Sequence, residues 1–493
     1  MDPTVALILC LVIPVILLIS FLYKPRNLPP GPHAWPLVGS LPAVLSSGAP
    51  LHITLTNLAR THGPLMLVTL GTQPTVLAST SEAAMEVLKT HDRALSGRHI
   101  RMSFRLKEMN KCSLVWSNCT DYWKLLRKIA RTEIFSPRML QIQEHVRERK
   151  VGELVEFLRG RKEGKAVKIS EFVFGTLLNI IGNVVFSKDV FGFDDEGGDK
   201  IGMQSLIREL LMIGASPNVA EFYPILEGLD LQGLKRRCRD RVNRVNKLWE
   251  TTVMERRKKR SVAEGWESKD MLDVLLDNNF DDVQINVLFL EMFGPGSETS
   301  SATIEWVLAE LIKNPDKMAK VQKELEKLVG NKGSQVKEAH LPDLPYLQAC
   351  VKETMRLHPA APFLLPHRAV ETCQVLGYTI PKDYQLLVNA YAIGRDPNTW
   401  KDPTSFCPER FLDSSVDFYG NHFEFIPFGS GRRICIGMPL ATRTVPLIVA
   451  SLVHNFDWSL PDGKRPEELV MNEMLSLSLS IDPSLSVVPK TRA

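Results

Sequence analysis

The chain has 493 residues, 44% hydrophobic and 24% charged, an ordinary globular composition with enough length to bury a large core around a cofactor. A formal net charge of +4 is too small to argue for a nucleic-acid partner, and the basic run Glu255-Arg256-Arg257-Lys258-Lys259-Arg260 reads as a solvated helix end or loop. The eight cysteines form no CxxC pair, which excludes a disulfide framework and a zinc cluster and fits a reducing compartment.

Pro3 to Tyr23 carries no charge across 21 residues, long enough to cross a bilayer as a helix. No small-residue cleavage site comes after it, and Pro14 bends such a helix without forbidding it. Asp2 precedes the span and Lys24 and Arg26 come after it, so the C-terminal side faces the cytosol. These features predict a transmembrane signal anchor over 1–24, single-pass, with the catalytic mass on the cytosolic side of the endoplasmic reticulum membrane. The sequon Asn118-Cys119-Thr120 then never meets the glycosylation machinery. Residues 25–42, with Pro29-Pro30-Gly31-Pro32, Pro36 and Pro42, predict a stiff proline-rich hinge. Residues 43–493 form one catalytic domain, with no internal repeat.

Residues 65–78 predict two short strands around a Gly71-Thr72-Gln73-Pro74 turn. Helical periodicity marks 120–134, 139–160, 171–187, 234–259, 283–313 and 344–357. Short strands return at 373–380 and 385–389 and near 472–488. The fold class is therefore mainly α with small β-sheets, in a single large domain.

The most informative stretch is Phe428-Gly429-Ser430-Gly431-Arg432-Arg433-Ile434-Cys435-Ile436-Gly437. A thiolate that binds a metal needs access, hydrogen-bond donors aimed at the sulfur, and a positive field. The glycines let the backbone bend around Cys435. A helix beginning near Met438-Pro439-Leu440 turns its N-terminal dipole toward the sulfur, and Arg433 is placed to reach an anionic group. The pattern F-x-x-G-x-R-x-C-x-G resembles the haem-binding loop of the cytochrome P-450 family at every fixed position. The resemblance runs from the anchor to Val487 and implies the cytochrome P-450 fold, haem b with Cys435 as iron ligand, and Phe428, Arg433 and Gly437 as part of the haem loop.

Three further constellations support it. Glu353-Thr354-Met355-Arg356 puts a carboxylate and a guanidinium on one helix face, and Pro408-Glu409-Arg410-Phe411 lies downstream. By resemblance, Glu353, Arg356 and Arg410 form a buried network that holds the cysteine loop. Trp123 and Arg127 share a helix face, and the family places such a pair against a haem propionate. Leu365-Pro366-His367-Arg368 matches a second propionate-contacting segment, with His367 and Arg368 both open as the contact. Phe293-Gly294-Pro295-Gly296-Ser297-Glu298-Thr299 interrupts a helical pattern and resembles the family's oxygen-activation motif, with Glu298 and Thr299 as the catalytic proton relay for O–O cleavage. Pro295 stands where that motif has Ala or Gly, which predicts a kinked groove with altered hydrogen bonding.

The hinge, the stretch Asn218–Leu226 and Leu365-Pro366-His367-Arg368 resemble plant microsomal members, and the Pro-Gly groove resembles enzymes of benzylisoquinoline alkaloid metabolism. Some of those join two phenols and put no oxygen into the product, a reaction that suits a distorted groove. The expected function is therefore oxidative C–C or C–O phenol coupling of such an alkaloid. Hydroxylation of the same class or of monoterpenoids is the alternative, and an oxygen-independent haem isomerase or a haem sensor stands further off. By family position the pocket draws on 99–119, 207–223, 289–299 and 359–365, with Phe289, Met292, Phe293, Pro295, Ala361, Phe363 and Leu364 as members. No fixed anion for a cationic amine stands out, and Glu221 is only a candidate. The expected partners are an NADPH-cytochrome P-450 reductase docking near Lys124, Lys128, Arg131 and Arg432, the membrane, O2 and a small hydrophobic substrate.

Overall fold

The computed structural model describes residues 27–492, apart from 162–163, 194–201, 263–269 and 331–333. The expected anchor over 1–24 and the start of the hinge lie outside the described residues. The described chain is mainly helical with small sheets, as expected. In chain order the parts that position the site are strands β1 (Leu65–Leu70), β2 (Gln73–Ala78) and β3 (Gly97–Arg98), then helices α1 (Asp121–Ile129), α2 (Ile169–Phe186), α3 (Met203–Ala215), α4 (Leu234–Val262), α5 (Asp282–Lys313) and α6 (Pro345–Leu357). After them come β4 (His367–Arg368), β5 (Gln385–Val388), helix α7 (Met438–Asn455), and the hairpin strands β6 (Asn472–Leu475) and β7 (Leu479–Asp482).

Helix α5 is the axis of the molecule. A capping box starts it: Asp281 accepts from the Gln284 amide at 2.8 Å, and the Gln284 side chain accepts from the Asp281 amide at 2.9 Å. Its C-terminal half buries Ile304, Trp306, Val307, Leu308 and Leu311 against α2, α6 and α7 in one apolar cluster. Helix α2 is long and apolar enough to cross a membrane. It is instead the inner partner of α5, with Val173, Leu177 and Ile180 in that same cluster.

The main sheet runs β1-β2-β5-β4-β3. Gly71, at φ 63°, makes the turn between β1 and β2 tighter than expected, so Pro74 already pairs with Thr69. In β3 and β4, Arg98 lies directly opposite His367, which puts both side chains on one face. The hairpin β6–β7 is tied down by Glu473, which meets His52 Nε2 at 2.8 Å, His358 Nδ1 at 3.1 Å and the Tyr391 hydroxyl at 2.8 Å. Its tip reaches α5, where Trp306 Nε1 donates to the Leu479 carbonyl at 2.9 Å.

Most predicted helices appear within a few residues of their expected bounds. The stretch 139–160 divides at Gln143 into Pro137–Ile142 and Glu144–Arg159. Helices Leu51–His62, α3 and Pro315–Val329 are additions to the expected set. In the first, His52, Thr54 and Thr56 are among the inward-facing residues; the last buries only Val321 and Leu325. The first therefore blurs its apolar stripe, whereas the last carries one, Met318, Val321, Leu325 and Val329, that periodicity could have detected.

Candidate active site

The cysteine loop closes through one backbone bond, the Cys435 amide to the Phe428 carbonyl at 3.0 Å. Gly429 and Gly431 stand at φ 72° and 65°, and a Cβ on Gly431 would lie 2.0 Å from the Leu88 carbonyl oxygen. Gly437 has an ordinary negative φ and serves differently: it is the N-cap of α7, with Pro439 in the first turn. Burial raises the Cys435 thiol, while the amides of Gly437 and Met438 and the guanidinium of Arg127 pull it down. Among the described cysteines Cys435 is the exposed one. An accessible sulfur inside the protein, facing donors and a cation, is built to carry negative charge to a metal.

A cationic wall stands beside it. Arg433 lies over the Trp123 ring, 4.4 Å from its centroid, and Arg127 lies 5.5 Å from it. Arg433 donates to the Ser96 and Ser117 carbonyls, and Arg127 to the Ile434 carbonyl at 2.8 Å. Arg98, absent from the expected set, donates to the Val115 carbonyl at 3.2 Å and the Leu365 carbonyl at 2.8 Å. Burial and its neighbours Arg433 and Arg127 depress Arg98 to about 9, and burial depresses Arg433 to about 10. Among the described residues no carboxylate acts on any of the three, and Arg433 Nη1 is buried without a partner. Uncompensated buried charge of this kind calls for an anion. Trp123 turns its Nε1 to the Leu114 carbonyl at 2.9 Å and contributes its ring face to this wall. His367 is buried here on Leu95, its pKa driven well below the ordinary value by burial and then by Arg98. Arg368 turns away to an ion pair with Asp383.

Glu353, Arg356 and Arg410 meet in the proximal support. Glu353 is fully buried and accepts from Arg356 twice at 2.7 Å, from Arg410 at 3.0 Å and from the Cys407 amide at 2.8 Å.

Helix α5 runs through Pro295 without a break in its helical assignment. Hydroxyls take up helix carbonyls there: Thr299 donates to the Pro295 carbonyl at 2.8 Å and Ser297 to that of Phe293. Pro295 and Gly296 are exposed, and Glu298 and Thr299 partly so. Glu298 accepts from Ser478 Oγ, at the hairpin tip, at 2.9 Å.

Helical phase separates the expected pocket residues. Phe289 and Phe293 are fully buried, packed with Trp249 and Phe186, and do not line the open face. They lie roughly 200–240° around the helix from Pro295. Met292 is partly accessible. Phe363 sits in the sheet core with Met66, Val68 and Leu77. Leu364, at φ 51°, packs toward Gly429 of the cysteine loop, and Ala361 is partly accessible beside it. Beyond Arg98, sequence reasoning missed the hairpin tip at Ser478 and the acid Glu291. An acid one turn before a helix proline, inside an apolar run, was the available signal for Glu291. The serine had none.

A single domain built on one long helix, with an accessible cysteine in a glycine loop and a carboxylate-free arginine wall beside it, defines a haem-thiolate enzyme. The cytochrome P-450 family model matches residues 29–485, and the chain belongs to that family. It is similar to corytuberine synthase of Coptis japonica, 72% identical over 98% of both chains. It is also similar to berbamunine synthase of Berberis stolonifera, 52% identical over 97% of both, and to a probable (S)-N-methylcoclaurine 3'-hydroxylase of Coptis japonica, 52% identical over 95% of this chain and 94% of the other. A zebra fish cytochrome P-450, in a structure with progesterone, matches with a TM-score of 0.76 at 25% identity, covering 90% of this chain and all of that one. Family membership brings thiolate-bound haem iron, O2, a substrate and electrons from NADPH through a redox partner.

Proposed function

We propose that the chain is an oxidative phenol-coupling enzyme acting on a benzylisoquinoline alkaloid. The observation that carries this reading is the 72% identity to a synthase, against 52% to a named hydroxylase. Bound haem supplies O2 activation and the one-electron oxidation of phenols. Two phenols of the substrate each lose an electron and a proton, and the two radicals join. O2 takes those two electrons and two more from NADPH and leaves as water, so no oxygen enters the product.

In this reading Cys435 ligates the iron, and Arg98, Arg127, Arg433 and His367 hold the propionates beside the Trp123 ring. Arg98 stands in the place where Arg368 was a candidate. Each guanidinium bond to a carboxylate contributes about 1.5–3 kcal/mol. Arg98→Met is therefore expected to weaken haem retention on the order of tenfold to a hundredfold, read as haem lost from purified protein to an apo-haemoprotein acceptor. Glu298 holds the proton at its carboxylate and Thr299 Oγ1 passes it inward, with Ser478 fixing the orientation of Glu298. Lys128 and Arg131 are exposed, while Lys124 and Arg432 already pair with Asp121 and Asp92. The first two therefore suit docking by an NADPH-cytochrome P-450 reductase. The uncharged span before Lys24 anchors the chain in the endoplasmic reticulum membrane.

The test is incubation of the microsomal enzyme with reductase, NADPH and ¹⁸O2, using reticuline and N-methylcoclaurine. The expected product has lost two hydrogens and carries no label. Turnover requires the reductase and sediments with the membranes. Gain of one labelled oxygen would make the enzyme a hydroxylase.

A further inference from the structure

One carboxyl group near the site has no cationic partner among the described residues. It belongs to Glu291 on α5. Its carboxylate accepts from the Ser113 hydroxyl, from the Leu114 amide at 2.8 Å and from the Val115 amide at 3.2 Å. Those donors are neutral, and among the described residues none of the groups acting on its ionisation is cationic. Burial raises its pKa to about 7 against the three hydrogen bonds. A carboxylate offers about four acceptor sites, so three donors leave room for another. Holding such a group in place without a counter-charge is costly.

Its position says where a counter-charge comes from. Glu291, Pro295 and Thr299 recur at i, i+4 and i+8 and share one face of α5. Pro295 is exposed, and Glu291, Glu298 and Thr299 are partly accessible. Thr299 lies roughly 12 Å further along the axis. Proline at 295 also carries no N–H, so the main-chain carbonyl of Glu291 loses its i+4 donor. Residue 291 therefore carries both a carboxylate without a cation and a carbonyl without its helical donor.

We propose that Glu291 is the seat of the substrate's protonated tertiary amine, with its carboxylate taking the single N–H as counter-ion and the carbonyl freed by Pro295 adding a partial negative charge beside the cation. Pro295 then acts in substrate orientation rather than by distorting the oxygen groove. Anchoring the ammonium here points the phenolic end toward Thr299 and the iron side of the pocket. The inference rests on the alkaloid reading above.

The test is ligand-induced difference spectroscopy on the full-length holoenzyme with two ligands of one skeleton: reticuline, a tertiary amine, and N-formylnorreticuline, a neutral amide. Glu291→Gln is expected to weaken reticuline by at least about thirtyfold while leaving the amide unchanged. Pro295→Ala, which restores the helix N–H and favours folding, is expected to weaken reticuline selectively by a smaller factor. Ser113→Ala removes a donor but no charge, and keeps the wild-type ratio between the two ligands. Equal weakening of both ligands in Glu291→Gln would reduce Glu291 to a strap holding residues 113–115, and an unchanged ratio in both the Glu291 and Pro295 variants would likewise overturn the proposal. A wild-type enzyme that binds neither ligand would instead overturn the alkaloid reading itself.

Discussion

Replacing Cys435 with serine is expected to abolish turnover, and with it the carbon monoxide difference band of thiolate-bound haem, while the protein stays folded. The exchange is nearly isosteric, and the loop's closing bond runs from the main-chain amide of residue 435 to Phe428, which serine keeps. What changes is acidity. A thiol has a pKa near 8.5, low enough for two amides, a helix N-terminus and Arg127 to hold a thiolate on a metal. A serine hydroxyl is a far weaker acid, and the same donors do not deprotonate it at neutral pH. No other described cysteine substitutes. Cys238 is buried with its thiol pushed up to about 12, and burial raises Cys350 further still. The check is a carbon monoxide spectrum of the reduced variant beside a product assay. A retained band would place the iron ligand elsewhere.

The parts of the site that were legible in the sequence are those whose chemistry demands several residues at fixed spacing. A thiolate loop needs glycine, arginine and cysteine within ten positions, and Glu353 and Arg356 meet because three residues make nearly one helical turn. Residues that reach the site singly from distant strands carry no such spacing. Arg98 joins the site because β3 pairs with β4, putting it opposite His367 from a segment far away in the chain. Ser478 finds Glu298 only once the hairpin folds over α5. Phe289 and Phe293 were assigned to the pocket by family position, whereas their helical phase relative to Pro295 turns them to the aromatic cluster. The phase was readable; which face would open was not, because that depends on α2 and α4 covering the other side. The continuity of α5 at Pro295 has a similar cause. Packing along both flanks and the hydroxyls of Ser297 and Thr299 support a backbone that the proline alone would disrupt.

Removing the carboxylate of Glu353 is expected to cost the fold more than any single change at the iron ligand. Glu353→Ala leaves two guanidiniums facing each other in the interior with their shared acceptor gone. Breaking a buried ion pair by removing one partner costs about 3–5 kcal/mol, against a total stability of about 5–15 kcal/mol for a typical domain. Arg356 also donates to the carbonyls of Pro403 at 2.7 Å and Ser405 at 3.2 Å, and Arg410 to that of Lys401 at 2.9 Å. Both lie within about 6 Å of the Trp400 ring centroid. Glu353 thus sits at the hub of the segment that leads into the cysteine loop, and its loss reaches Cys435 through the chain. Denaturant titration should show a lower midpoint with an unchanged slope, together with reduced haem content. Glu353→Asp, whose shorter side chain reaches fewer of the donors, should fall between. A variant within about 1 kcal/mol of wild type would show that the arginines are satisfied by carbonyls alone. Set beside Cys435→Ser, which loses the thiolate band but keeps its stability, this variant separates two tasks: holding the metal, and holding the loop that holds it.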